Sequence, residues 1–173
     1  MNSLKSWTEA ERLAALDSYQ ILHTSYEEKY DALVRMAADV ADAPVSLITL
    51  LTEDRQWFKA AVGTDLTGTA RAISFCTVAI EQPNIMIVND ATADPRFSNN
   101  PLVTEPPHIR FYAGVPLRTP SGLPLGTLCV LDQQPRDFTS EQQSILESLA
   151  ARVIDLLEER KRLLEAETTI KVA

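Results

Sequence analysis

The chain has 173 residues, 45% of them apolar and 23% charged, with 16 Lys and Arg against 24 Asp and Glu for a net charge of −8. This length predicts one domain that buries its own core without disulfides or metal, in an ordinary globular composition. The acidic balance repels phosphate backbones and argues against nucleic acid as a partner.

Met1-Asn2-Ser3-Leu4-Lys5 leads into polar residues rather than an apolar signal core. No apolar run approaches the roughly 20 residues that span a bilayer. The expectation is a cytoplasmic protein without direct membrane contact. Thr8 and Glu11 have the spacing of a capping box, and Leu13 and Leu16 follow at helical spacing, so a first helix is predicted to end near Gln20. Ser25 and Glu28 repeat the spacing. Tyr30, Leu33, Val34, Ala37, Val40 and Ala41 then trace one helical face. This second helix should stop at Asp42-Ala43-Pro44, since proline disfavours helix at the residue before it.

Residues 45–51 are rich in strand formers. Glu53-Asp54-Arg55 turns the chain into a returning strand over 56–62, and 63–69 reads as loop. Ser74 can cap a short helix over 75–81 that Gln82-Pro83 ends. Residues 85–88 are apolar throughout, as in a strand covered on both faces. Asp94-Pro95 suits an N-cap followed by proline, opening a brief turn. Residues 99–107 carry Pro101, Pro106 and Pro107 without periodicity and read as irregular loop. Two apolar runs, 109–117 and 122–132, flank Arg118-Thr119-Pro120-Ser121-Gly122 and predict a hairpin at the centre of a sheet.

Thr139 and Gln142 open a last, long helix past Arg160. Leu146, Leu149, Val153, Leu156, Leu163 and Ile170 fit the coiled-coil period, with Arg160 and Glu167 in the same seam. That period outlasts what one domain needs and predicts a partner helix; otherwise its first half packs on the domain and the charged end frays. Strands joined by hairpins with helices before and after imply an α+β layout. The expected division is an N-terminal helix over 1–24, a domain over 25–158 and a helical extension over 159–173.

The chain resembles a GAF domain, of the sort found at the N-terminus of bacterial sensor kinases and cyclic-dinucleotide enzymes. The matching pieces are Arg12-Leu13-Ala14-Ala15-Leu16, Glu53-Asp54-Arg55-Gln56-Trp57-Phe58-Lys59, Ser74-Phe75-Cys76, Asp90-Ala91-Thr92-Ala93-Asp94-Pro95-Arg96-Phe97, and Pro107 through Leu117. Gly126-Thr127-Leu128-Cys129-Val130-Leu131-Asp132 follows in order. The resemblance implies an antiparallel sheet of five or six strands with terminal helices on one face. On the other face, loops and short helices would enclose a small-molecule pocket. It also implies a homodimer through the terminal helices and an output domain, such as a kinase or cyclase, beyond the last helix. Since no output domain follows in this chain, the expectation is a stand-alone module or a fragment.

Carried onto this sequence, the pocket would take in Trp57, Phe75, Cys76, Asp90, Asp94, Arg96, Phe97, Arg110, Tyr112 and Cys129. Arg96 and Arg110 can hold a carboxylate or phosphate through paired donors, or pair with Asp90 and Asp94 and lock the loop. Asp94 can equally serve only as a cap. Trp57, Phe75 and Phe97 are pocket wall or core. Cys76, in the first turn of a short helix, and Cys129, in a strand, face the pocket or are small buried thiols. Two distant histidines make no zinc signature, neither cysteine precedes the histidine of a tetrapyrrole attachment, and no Gly-rich phosphate loop or nucleophile–base pair occurs. No metal or covalent chromophore is therefore expected, and the ligand is unknown. The function expected is a non-enzymatic sensory module in signal transduction. The alternatives are a free methionine sulfoxide reductase on the same fold, or a degenerate domain that only dimerises.

Overall fold

The computed structural model describes residues 5–172. Residues 1–4, with most of the polar start, and residue 173, the end of the expected extension, lie outside the described part. Thr8 caps α1 (Glu9–Asp17) through both arms of the box: the Glu11 N–H donates to Thr8 Oγ1 at 3.2 Å, and the Thr8 N–H to Glu11 Oε2 at 2.8 Å. The helix stops short of Gln20 because Ser18 closes it and Gln20 turns to φ 47°. Glu9 receives both Arg12, whose side chain is fully buried, and Arg71. The Arg12 guanidinium, outweighing burial and helped by Arg71, holds this carboxyl down to about 2.

Ser25 does not open α2 (Glu28–Ala41), contrary to the spacing. Glu27 holds the N-cap position, and Lys59 from the sheet takes the Ser25 carbonyl at 2.6 Å and the Glu27 carboxylate at 2.7 Å. A tertiary ion pair thus displaces a local cap. The helix ends as expected, with Asp42 left-handed at φ 49°.

Six antiparallel strands lie in the order β3-β2-β1-β6-β5-β4. They are β1 (Val45–Leu51), β2 (Arg55–Val62), β3 (Gly68–Ala70), β4 (Met86–Val88), β5 (Phe111–Arg118) and β6 (Pro124–Asp132). The predicted hairpin is β5–β6, so β6 is central and β5 is next to the edge strand β4. β3 falls in the stretch expected to be loop. Gly68 permits it: a side chain there would place its Cβ 2.3 Å from the Gln56 carbonyl oxygen. The short helix α3 (Phe75–Ala79) ends two residues before the predicted 81, and the Cys76 N–H donates to Ser74 Oγ at 3.1 Å as expected. A second short helix, α4 (Pro101–Thr104), replaces part of the irregular loop. Asn100 caps it by accepting from the Leu102 N–H at 2.9 Å, and Pro101 takes its first position.

The sheet separates two cores. On one face α2 and α5 (Ser140–Val172) pack with Leu16 and Tyr19 over Ile48, Leu50, Ala60, Phe111, Leu128 and Val130. On the other, α3, α4 and their loops cover Leu47, Leu51, Phe58, Tyr112, Cys129 and Leu131. Alternate residues of each strand thus serve opposite cores. A bulge in β2 breaks the alternation: Ile48 pairs with Ala60 and Thr49 with Phe58, which leaves Lys59 unpaired and puts it with Ala60 on the helical face.

α5 buries Leu146, Leu149, Ala150, Val153 and Leu157 against the domain. Burying one Leu side chain is worth about 1.5–3 kcal/mol, so these residues fix its first half firmly. Leu157 rather than Leu156 continues the buried stripe. Leu163 and Ile170 are 57% and 74% exposed, on a helix that runs on past the domain. No helix among the described residues is long and apolar enough to cross a membrane.

Candidate functional site

A cavity of about 260 Å³ opens on the sheet face opposite α5. Its floor is Leu47 of β1, Gln56 and Phe58 of β2, Tyr112 of β5, and Cys129 and Leu131 of β6. Phe75 and Cys76 of α3, Leu102 of α4, Thr69 of β3 and Leu66 of the β2–β3 loop wall it. Leu66 is 53% exposed at the mouth. The lining is mostly apolar with a few neutral polar groups and one carboxylate, Asp132, the usual make-up of a small-molecule site.

Those polar groups are held in place. Gln56 Oε1 accepts from Ser74 Oγ at 2.6 Å, and its Nε2 donates to Thr69 Oγ1 at 3.1 Å. Ser74 thus caps α3 and orients the amide at once. Tyr112 lies across Gly114, its neighbour on the same strand face, and only glycine leaves room for the ring. Tyr112 Oη reaches Cys76 Sγ at 3.2 Å, and Thr127 Oγ1 reaches the same sulfur at 3.1 Å. Thr49 Oγ1 lies 3.1 Å from Thr127 Oγ1 and extends the chain of hydroxyls.

Burial works against ionising either thiol. At Cys76, contacts from Cys129, Thr127, Tyr112 and Thr49 work the other way and lower the thiol. At Cys129, burial and then the charge and hydrogen bonding of Cys76 act together and push the thiol well up. Burial, then the charges on the two sulfurs, likewise raises Tyr112. The pair therefore shares one ionisation between two sulfurs.

Of the residues expected at the pocket, Phe75, Cys76, Tyr112 and Cys129 line the cavity together. Phe97 is buried behind it, stacked on Phe75 at 4.1 Å between centroids. Trp57 lies on the opposite face, against the helical core and 5.9 Å from His23, because strand alternation puts Phe58 at the cavity instead. The two arginines turn away from it. Arg96 pairs with Asp94 at 2.8 Å, while Arg110 donates to the carbonyls of Val103 at 3.0 Å and Ile109 at 3.1 Å. Asp90 closes its own turn by accepting from the Thr92 N–H and hydroxyl, the hydroxyl first among the groups that lower its carboxyl. Asp94 caps its turn by accepting from the Arg96 N–H, and no helix follows.

Sequence reasoning missed Leu47, Gln56, Thr69 and Leu131. The period-two register through Leu47, Cys129 and Leu131 carried the signal for Leu47 and Leu131. Nothing local marks Gln56 or Thr69 as a pair. Among the described residues, no three His, Cys, Asp or Glu side chains converge as a metal-ligand set.

The family model of the GAF domain matches residues 25–154. A cyclic di-GMP phosphodiesterase of Pseudomonas aeruginosa is 40% identical over 146 residues, which make up 84% of this chain and 25% of that protein. The chain thus spans about a quarter of that relative's length. Among solved structures, the GAF domain of an Acinetobacter phosphoenolpyruvate-protein phosphotransferase superposes with a TM-score of 0.63 at 21% identity, covering 89% of this chain and 97% of that one. A type II free methionine-R-sulfoxide reductase from Thermoplasma acidophilum superposes with a TM-score of 0.62 at 19% identity, over 76% of this chain and 92% of that one. At such identities these structures share the fold.

Proposed function

Because the chain belongs to the GAF domain family, we propose that it is a sensory module of a bacterial signalling protein, one that takes a small molecule and passes its occupancy along α5. The observation that carries this reading is the cavity of about 260 Å³ against the sheet face opposite α5. Neighbouring strand residues face the two sides in turn: Phe111 and Leu128 touch the helical core, Tyr112 and Cys129 the cavity. A ligand that reseats β5 or β6 therefore acts on the bed under Leu149 and Val153. It shifts that equilibrium only by as much as its affinity differs between the two arrangements.

The output would be a catalytic domain joined beyond α5, and the named activity of the Pseudomonas relative makes cyclic-dinucleotide turnover the favoured kind. Two copies would meet along the outer half of α5, where Leu163 and Ile170 have no cover from their own domain. Native mass spectrometry of freshly purified protein tests the proposal: a dimer carrying an added small mass is expected. A bare protein that no metabolite stabilises in a thermal screen would leave only a scaffold. Leu163→Asp with Ile170→Asp should weaken self-association by about tenfold or more, and association as tight as before would put the interface elsewhere.

A reductase reading has one observation in its favour, the two thiols at one cavity. Free methionine sulfoxide would be reduced to methionine and water as Cys76 and Cys129 join in a disulfide. Turnover that disappears in Cys76→Ser would replace the sensory reading.

A further inference from the structure

Resting on the reading that the cavity receives a ligand, we infer that this ligand is a neutral, largely apolar molecule and that the cavity excludes cyclic nucleotides and other anions. Among the described residues, no lysine, arginine or histidine lines the cavity. The arginines around it are committed elsewhere. Arg96 is held by Asp94, Arg110 by two backbone carbonyls, and Arg71 by Glu9 and the Thr52 carbonyl at 2.8 Å. Arg136 is tied to Asp132 and to the carbonyls of Ala41 and Asp42.

The one carboxylate on the lining, Asp132, is also satisfied. Its Oδ1 accepts from the Gln134 N–H at 3.1 Å and its Oδ2 from Arg136. A phosphate entering here would leave water for a wall of Leu, Val, Ile and Phe side chains and meet no compensating cation. An isolated buried charge is strongly disfavoured without one. The other polar groups on the lining are the amides of Gln56 and Gln133, the hydroxyls of Tyr112, Thr64 and Thr69 and the two cysteine sulfurs, none of them a cation. They suit one or two hydrogen-bonding atoms on an aromatic or aliphatic body. The Pseudomonas relative is named for an enzyme acting on cyclic di-GMP, an anion; this cavity would then report a different molecule from the one that such an output turns over.

The test uses the whole chain and four probes: methyl phenylacetate, phenylacetate, cyclic di-GMP and 3′,5′-cyclic GMP, each titrated by amide NMR shifts at pH 7. The ester is expected to shift resonances of β1, β2, β5 and β6. Phenylacetate, of nearly the same shape, should bind about tenfold or more weakly and recover as pH falls and its neutral form appears. Leu102→Trp, at a partly exposed lining position, should abolish ester binding; Val45→Phe gives the same block from the sheet side. Binding of phenylacetate or either nucleotide as tightly as the ester, lost in Leu102→Trp, would overturn this inference and leave the sensory reading standing. Ester binding untouched by both lining variants would also overturn it. No binding by any probe, together with no co-purified mass, would overturn both.

Discussion

Gly114→Ala is expected to lower the unfolding free energy by about 1–3 kcal/mol and to close the cavity to small neutral molecules. A Cβ at residue 114 would stand 2.1 Å from Tyr112 Oη and 2.6 Å from its Cζ, so the ring must leave its place. The ring is buried, tilted against Phe75 at 5.4 Å between centroids, and bonded to Cys76. The cavity that the ring borders offers room. A displaced Tyr112 would therefore fill the space a ligand would take, while Cys76 loses one of its hydroxyl contacts. Urea unfolding and the methyl phenylacetate titration read the two effects separately. Gly122→Ala is the control: its φ of +90° disfavours a side chain, but nothing lies within 4 Å of the added carbon. It should cost about 1 kcal/mol and leave the titration unchanged. An alanine at 114 that binds the ester normally would show that the ring is not the cavity's floor.

Local signals in the sequence suffice wherever a short stretch decides its own structure. Thr8 with Glu11, Thr139 with Gln142, and Asp42-Ala43-Pro44 set helix ends through groups three or four residues apart. The hairpin is announced by its turn, and the exchange of Phe111 with Tyr112 between two cores follows from strand alternation. The sequence reading failed where distant groups decide. Ser25 has the capping spacing, yet Lys59 takes its carbonyl from across the fold. β3 is a short edge strand with no apolar pattern, and α4 carried its Asn100-Pro101 signature inside a proline-rich stretch whose irregularity masked it. The site shows the same division. Phe75, Cys76, Tyr112 and Cys129 were found because they sit in recognisable motifs. Trp57 was misplaced because its neighbour Phe58 is the strand residue that faces the cavity, and a one-residue choice of face inverts every assignment. The sequence leaves the arginines as anion ligands or as partners of Asp90 and Asp94; Arg96 takes the second course with Asp94, while Arg110 takes two backbone carbonyls that no sequence signal marks. Empty volume is a property of packing and has no sequence mark.

Glu27→Ala should cost about 2–3 kcal/mol at neutral pH, and adding Lys59→Met should restore most of it. Lys59 has a side-chain exposure of 1%, and its ammonium meets Thr24 Oγ1 at 2.9 Å, the Ser25 carbonyl, the Tyr30 ring at 5.2 Å and the Glu27 carboxylate. Losing Glu27 strands a buried cation. The cost falls below that of a wholly buried pair because Glu27 itself is 32% exposed and partly screened. Methionine removes the stranded charge while keeping most of the volume, so the two changes must be far from additive. The pH dependence has a definite sign. Burial raises the Glu27 carboxyl, but Lys59 overrides it, helped by Lys29 and Arg160, and its folded value lies below the ordinary 4.5. Its stabilisation is then fully present above 4.5 and is lost as pH falls through the folded value. Urea unfolding of wild type and Glu27→Ala should differ most near pH 7 and converge in acid; a gap that stays constant would exclude the ion pair as its source. The pair also joins the two halves of the proposed signal path. Lys59 follows Phe58 of the cavity floor, and Glu27 lies in the field of Arg160, whose guanidinium binds the Tyr19 and Gln20 carbonyls at 2.8 and 2.6 Å from α5. Cutting it should therefore loosen α5 as well as destabilise the domain. Faster amide exchange around Arg160 in Glu27→Ala than in the double variant would register that loosening, and equal exchange in the two would separate the ion pair from the helix.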